Sequence, residues 1–246
     1  MLKYLSATAL VAAVKANWRS GEVKTHETFK YGKFVTKMQG ANKLGTITSF
    51  FTYWSGPNWS AEGWNEIDVE LVPSKTENPY STNIIWTWQQ QDQGYDQGFL
   101  PGTDWHTYAV EWTPDYVAWF VDDNEIRRVT GTDDVHFLNK DCVLMMNFWT
   151  PTWDDWGHGF DPAGMPWYAR YDFVETYTYD ESMKQFNLKW RDDFDSFDES
   201  RWLKSDNWGF DSNSTTFWAS QVSVEDGALV LKMEPPTGDK ESTFLQ

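Results

Sequence analysis

The sequence predicts an all-β fold, a sandwich of two antiparallel sheets, and three observations predict it. Beyond residue 17 there is little helical periodicity, and short runs rich in Val, Ile, Thr, Phe, Tyr and Trp recur between turn residues. The chain of 246 residues is long enough for one large all-β domain or two small ones. The stretch Trp64-Asn65-Glu66-Ile67-Asp68-Val69-Glu70-Leu71 alternates strictly. On a strand, Glu66, Asp68 and Glu70 then share one face, and Ile67, Val69 and Leu71 share the other.

Taken in order, strands are expected at residues 30–39, 45–54, 65–72, 81–88, 106–113, 116–121, 125–129, 143–149, 168–179, 217–224 and 228–233. Val121-Asp122-Asp123-Asn124-Glu125 reads as a hairpin turn. Residues 56–63 and 89–103 are polar loops with Gly and Pro, expected at the rim of a cleft.

Composition excludes some partners. The net charge of −17 argues against nucleic acid and anionic membrane surfaces, which call for basic patches. It suits a soluble protein acting on a neutral polymer. Aromatic residues make up 18% of the chain, with 17 Trp, more than a core needs. The single cysteine rules out an internal disulfide framework, and Cys142 sits in an apolar run that reads as a buried, inert thiol. The four histidines do not cluster, so no zinc spacing exists. Residues 1–16 carry an early lysine, a short apolar run and small residues, which reads as a secretory signal with an extracellular or periplasmic product. An amphipathic helix is the competing reading, and Lys15 beside the cleavage site favours it. Residues 234–246 read as a polar tail or the start of a linker, leaving 17–233 as the folded domain.

The acidic strand carries the chemistry. Three like charges on one strand face repel each other. An E-x-D-x-E pattern alone fits an edge strand made acidic against edge-to-edge pairing. Here, however, Phe50, Phe51, Tyr53, Trp54, Trp59 and Trp64 precede it, and Tyr80, Trp86 and Trp88 come after. Aromatic rings stack on the apolar faces of sugars, and a carboxylate pair performs glycoside hydrolysis.

Trp-Asn-Glu-Ile-Asp-Val-Glu-Leu resembles the active-site strand of glycoside hydrolase family 16, which includes lichenases, laminarinases, xyloglucan transglycosylases and carrageenases. The single residue between Asp68 and Glu70 resembles the lichenase and xyloglucan-enzyme branch; laminarinases carry one more, which makes a bulge. Tyr31-Gly32-Lys33-Phe34, Ser49-Phe50-Phe51-Thr52-Tyr53, His106-Thr107-Tyr108, Glu111-Trp112-Thr113-Pro114 and Met145-Met146-Asn147-Phe148-Trp149 agree with the same family. The resemblance implies a curved β-jelly roll with its cleft on the concave sheet. It also implies a circular permutation like that of one lichenase branch. Arg191-Asp192-Asp193-Phe194 and the chain on to residue 233 resemble the stretch that opens most members. The segment from Ala16 to Val23 resembles the next stretch of those members. Residues 180–189 would bridge the ordinary termini. The competing reading makes 185–246 a small separate domain, although 190–233 alone is too short for a good core.

By this resemblance Glu66 is the nucleophile, Glu70 the general acid/base, and Asp68 tunes both. Phe51, Tyr53 and Trp149 match cleft aromatics, Asn83 and Asn147 polar cleft residues, Arg19 an arginine that reaches sugar hydroxyls, and Trp208 a platform of the permuted branch. Ser81 departs from the pattern, where lichenases usually carry Gln. His106 either supports the acid/base or is structural. Asp172, Asp193 and Gly227 match a structural Ca²⁺ site. The activity implied is a monomeric, retaining endo-β-glucanase on 1,3-1,4-β-glucan. A xyloglucan hydrolase or transglycosylase, or a 1,3-β-glucanase, is the enzyme alternative; a carbohydrate-binding module is the non-enzyme one, and it has no need of a repelling acidic triad.

Overall fold

The computed structural model describes residues 17–54, 56 and 63–237. The leader expected at 1–16, the end of the tail at 238–246 and most of the loop at 56–63 lie outside the described residues. Two eight-stranded sheets face each other. In spatial order, the first runs β15 (Trp202–Lys204), β2 (Glu22–Phe29), β12 (Cys142–Trp149), β4 (Ile47–Trp54), β5 (Trp64–Leu71), β6 (Tyr80–Thr87) and β7 (Gln89–Gln90), and β8 (Gln93–Tyr95) also pairs with β6. The second runs β11 (Asn124–Thr130), β10 (Tyr116–Val121), β9 (His106–Trp112), β3 (Gly32–Gln39), β13 (Trp167–Asp180), β18 (Ala228–Met233) and β17 (Val222–Glu225), and β14 (Gln185–Asp192) also pairs with β13. Pairing within both sheets is antiparallel. The short β1 (Trp18–Ser20) and β16 (Thr215–Phe217) pair in parallel outside them. The two single-turn helices are α1 (Asp133–His136) and α2 (Asp154–Gly157). No described helix is long and apolar enough to cross a membrane.

The apolar face of each strand makes the core between the sheets. Ile67, Val69 and Leu71 of β5 and Leu144, Met146 and Phe148 of β12 meet Phe34, Met38, Val110, Trp119 and Tyr171 from the other sheet, all at most 3% exposed. Burying such a side chain contributes about 1.5–3 kcal/mol. Cys142 is buried in the same core, and burial pushes its thiol far above the usual range, as an inert cysteine requires. The hairpin expected at 121–125 is present: Asp122 and Asp123, with φ of 46° and 64°, turn the chain between Val121 and Asn124. Paired positive φ values match the twist of the strands they join.

Several boundaries differ from expectation. β2 was not foreseen, because Lys24, His26 and Glu27 dilute its pattern. The segment expected to bridge the ordinary termini at 180–189 contains a hairpin turn, with β13 running to Asp180 and β14 leaving at Gln185. Its alternating Phe186, Leu188 and Trp190 are visible in the sequence, but they are half-buried or exposed and do not define a core face. The strand expected at 217–224 is broken by a 3₁₀ turn at Ala219–Gln221. Part of the loop expected at 89–103 is the paired edge formed by β7 and β8. Strands after residue 180 enter both sheets: β15 pairs with β2, and β18 with β13.

Candidate active site

β5 lies inside its sheet, with seven to eight unbroken residue pairs to β4 and to β6. No bulge interrupts it, so Glu66, Asp68 and Glu70 stay on one face. Directly opposed residues in antiparallel strands also share a face. Glu66 lies between Tyr53 and Ile85, Asp68 between Phe51 and Asn83, and Glu70 between Ser49 and Ser81. Asn147 opposes Ser49, and Trp149 follows on the same side of β12. The structure thus brings Phe51, Tyr53, Asn83, Asn147 and Trp149 onto the same face as the carboxylates.

The far side of β5 explains why this face holds its shape. Trp119, wholly buried on β10, donates from Nε1 to the Asp68 carbonyl at 2.9 Å. Tyr171 of β13 donates to the Ser49 carbonyl at 2.8 Å. Both bonds cross the core and fix the backbone beneath the carboxylates. On the face itself, the Phe51 and Tyr53 rings pack edge to face at 6.4 Å. The Trp149 ring meets Trp153 at 5.6 Å and Phe210 at 5.1 Å, and Trp208 meets Phe210 at 5.8 Å. Trp208 is 47% exposed, so this row offers an open ring at its end.

The three carboxyls are unequal. Trp64 Nε1 donates to Glu66 Oε2 at 2.6 Å, and the Glu66 and Asp68 carboxyls share a hydrogen bond. Burial pushes Glu66 up to about 7, against these two bonds. Glu70 has no hydrogen-bond partner among the described residues; burial, then the charge of Glu66, pushes it up to about 8. Burial, then both glutamates, holds Asp68 well above the usual carboxylate range. The site can therefore hold a proton on Glu70 and on Asp68 while Glu66, with two donors, gives up its own first.

Other expected residues have different surroundings. The Arg19 guanidinium sits 4.6 Å over Trp218, donates to Ser220 Oγ at 3.0 Å and to Thr237 Oγ1 at 3.2 Å, and faces Glu234 at 3.7 Å. It ties β1 to the end of the described chain through Nη1 and Nη2, while its buried Nε has no hydrogen-bond partner. His106 lies on β9 in the other sheet, bonded to Asp122 at 2.7 Å and stacked on Phe99 at 3.5 Å, contacts that favour the structural reading. Asp172, Asp193 and Gly227 gather where β13 changes partner, from β18 at Tyr171 to β14 at Val174. There Asp172 pairs with Lys37 at 2.9 Å and Asp193 with Arg191 at 2.7 Å. Gly227, with φ of 74°, completes the turn between β17 and β18. Among the described residues no three His, Cys, Asp or Glu side chains gather as a metal cluster. The Asp172 and Asp193 carboxylates are hard oxygen donors of the kind calcium takes, and each is paired with a cation here.

One acidic residue was missed. Glu22 opposes Asn147 in the same row as Glu70 and is 2% exposed. Asn147 Nδ2 donates to it at 3.1 Å and Ser205 Oγ at 2.6 Å, and burial pushes it up to about 7. Its signal was the alternation of Glu22 and Lys24 around Val23, hidden because β2 itself was not foreseen.

Comparison with known proteins agrees with this arrangement. The model of Glycosyl hydrolases family 16 matches residues 3–168. A beta-glucanase of Fibrobacter succinogenes is 35% identical over 239 residues, 93% of this chain and 67% of that protein. A beta-glucanase of Brevibacillus brevis is 32% identical over 164 residues, 64% of this chain and 60% of that protein. Among solved structures, Bacillus licheniformis beta-glucanase superposes with a TM-score of 0.56 at 28% identity, over 65% of this chain and 71% of that one. A prokaryotic beta-1,3-1,4-glucanase (lichenase) from a mouse hindgut metagenome gives 0.55 at 28%, over 65% of this chain and 78% of that one.

The raised carboxyls make stability fall with pH. A carboxyl whose folded-state pKa is raised stabilises fully below its unfolded value and loses that contribution as pH rises through the folded value. For Glu66 and Glu70 the window runs from about 4.5 to about 7 and about 8. The melting temperature should fall between pH 5 and pH 9. Glu70→Gln should raise it at pH 8.5 by on the order of 2 kcal/mol, roughly 5 °C, and leave it nearly unchanged at pH 4.5. Equal melting temperatures at pH 8.5 would contradict the buried state of Glu70.

Proposed function

The chain belongs to glycosyl hydrolase family 16, a family of glycoside hydrolases, and from that premise we propose a retaining endo-β-glucanase that cuts mixed-linkage 1,3-1,4-β-glucan. The observation that carries the reading is the unbroken β5, with Glu66, Asp68 and Glu70 on one face between rows of aromatic and amide side chains. The lack of a bulge favours the lichenase-like strand over the laminarinase-like one. The Fibrobacter and Bacillus relatives are named beta-glucanases, which supports a β-glucan substrate, and the hindgut enzyme is named a beta-1,3-1,4-glucanase, which supports the mixed linkage.

In the first step the Glu66 carboxylate attacks the anomeric carbon, and Glu70 gives its proton to the departing glycosidic oxygen. Protonated Asp68 and the Trp64 indole hold Glu66 by hydrogen bonds and favour its ionised form. In the second step the Glu70 carboxylate takes a proton from water as the water oxygen bonds to the anomeric carbon, and the bond to Glu66 breaks. Two displacements at one carbon retain its configuration. Rings such as Phe51, Tyr53 and Trp149 supply flat surfaces for glucose units.

Wild-type enzyme should degrade barley glucan faster than laminarin, xyloglucan or carboxymethylcellulose, with a β-anomer as first product by proton NMR. Glu70→Ala should form the glycosyl-enzyme from an aryl glycoside, stall, and be rescued by azide to a β-glycosyl azide. An α-azide would assign Glu70 as nucleophile, and an α-product from wild type would mean an inverting enzyme.

The reading includes a structural Ca²⁺ at the junction of Asp172, Asp193 and Gly227. Calcium bound only to the folded chain stabilises it by mass action. Adding millimolar Ca²⁺ to chelator-treated protein should raise the melting temperature with little change in activity at low temperature. An unchanged melting temperature would rule the ion out at this junction.

It also includes circular permutation. The Fibrobacter relative aligns along 93% of the chain, whereas the Brevibacillus one stops at 64%. Arg19 and Glu234 exchange two backbone hydrogen bonds of 3.0 Å, so the described ends lie side by side. Linking the chain near Met233 to Asn17 and opening it in the β13–β14 turn should give a folded, active enzyme, since Glu234 and Pro235 after Met233, Asn17, and the turn at 181–184 are all half-buried or exposed. Failure to fold across several linker lengths would overturn the permutation.

A further inference from the structure

The proton on Glu70 has neighbours that the acidic triad does not explain. Ser81 opposes Glu70 directly on β6 and is fully buried. Its hydroxyl is not turned to Glu70 as a bonding partner; Ser81 Oγ donates to Asp92 Oδ1. Asp92 Oδ2 lies 3.4 Å from Lys75 Nζ, and Lys75 Nζ lies 4.3 Å over the Trp156 ring. A serine thus stands where the resembling enzymes carry Gln, and its hydroxyl holds a carboxylate beside the strand.

The loop bearing Asp92 is fixed from several sides. Gln91 N donates to Asn83 Oδ1 at 3.0 Å, and Arg127, reaching from β11, donates to the Gln91 carbonyl at 2.9 Å. Asp92 leads at once into β8, which pairs with β6 through Gly94 opposite Ser81. Its charge therefore stands at a set distance from Glu70.

Around Glu70, the charged groups on its own strand are Glu66 and Asp68. β4 offers only Ser49 opposite it, and β12 Asn147, with Glu22 of β2 at the end of that row. The loop after β5 offers Lys75, and the loop after β6 offers Asp92. Asp92 raises the proton affinity of Glu70, and Lys75 lowers it. Lys75 and Asp92 face each other, so each partly offsets the other's field at Glu70.

We propose that Asp92, held by Ser81 and Lys75, is a positioning residue that keeps the proton on Glu70. The inference rests on the reading of Glu70 as acid/base. Asp92 touches no reacting atom. It acts through space, as a fixed negative charge that disfavours a second one nearby. Its side chain is 37% exposed, so its effect is modest and screened by salt. The arrangement replaces a neutral amide by a charge that can be tuned from outside the strand.

The test is a titration that needs no turnover. Carboxyl-labelled glutamate, with the Glu70 signal assigned from its loss in Glu70→Gln, is followed by carbon NMR against pH in wild type, Asp92→Asn and Lys75→Met. Asp92→Asn keeps the acceptor for Ser81 and removes the charge, so the Glu70 midpoint should drop by roughly half a pH unit at low salt, and by less at about 1 M salt. Lys75→Met should move it upward. The alkaline limb of kcat/KM should follow in the same two directions, which a merely structural loop would not produce. Asp92→Glu should restore the wild-type midpoint. Midpoints that stay put, or move the same way in both variants, overturn the proposal. Failure of the azide rescue would instead remove the acid/base role of Glu70, while the NMR midpoints would still report the electrostatics.

Discussion

The constraint on which the rest depends is the crowding of Glu66, Asp68 and Glu70 on one face of β5. Successive residues of the triad stand about 7 Å apart along the strand, and the Glu66 and Asp68 carboxyls come within hydrogen-bond distance. Even at about 7 Å an ionised pair would repel by about 2 kcal/mol at an effective dielectric near 20. Ile67, Val69 and Leu71 on the reverse face are at most 1% exposed. Each contributes about 1.5–3 kcal/mol by burial, which outweighs the repulsion and holds the strand in register. Protonation relieves what remains. The same crowd that the fold must bear keeps protons on the site near neutral pH.

The triad is asymmetric because its two ends meet different neighbours. At the Glu66 end, the indole of Trp64 and the Asp68 carboxyl both donate, and donors favour an anion. At the Glu70 end, the opposed Ser81 spends its hydroxyl on Asp92, so no described donor compensates a negative charge. One scaffold strand therefore carries one carboxyl that ionises readily and another that keeps its proton, the pair that the proposed nucleophile and acid require. The burial that raises both would make two acids; the hydrogen bonds make the difference.

The alternation of Trp64–Leu71 was legible because period-two patterning is a local property, and the structure kept it unchanged. From that strand the opposed residues Phe51, Tyr53 and Asn83 follow through register, and their motifs are also local. What the sequence hid was remote. Glu22 reaches the face from β2, three strands away, and β2 is polar enough to escape a pattern search. Arg19 matched a sugar-binding position by its neighbours in sequence, yet Ser220 and Thr237, more than two hundred residues away, take two of its donors, and Glu234 pairs with its charge. Trp119 and Tyr171 look like any core aromatics in the sequence; only the packed sheets show their polar atoms under the Asp68 and Ser49 carbonyls.

Those two bonds, with Arg127, show how the second sheet serves the first. A sheet buried on one face could slide or flatten under a long polymer. Three polar side chains from β10, β13 and β11 cross the core instead and end on β5, on β4, and on β6 with its adjoining loop. Arg127 Nη1 donates to the Thr82 carbonyl at 3.0 Å and its hydroxyl at 2.8 Å, while the guanidinium lies 4.7 Å over Trp119. A buried guanidinium is costly unless its donors are met, and here carbonyls and an aromatic face meet them. Tying the Arg127 donors to both β6 and Gln91 couples the strand opposite Glu70 to the loop that carries Asp92. The position of that loop is thus set by the core of the sandwich, and so is the electrostatic surrounding of Glu70.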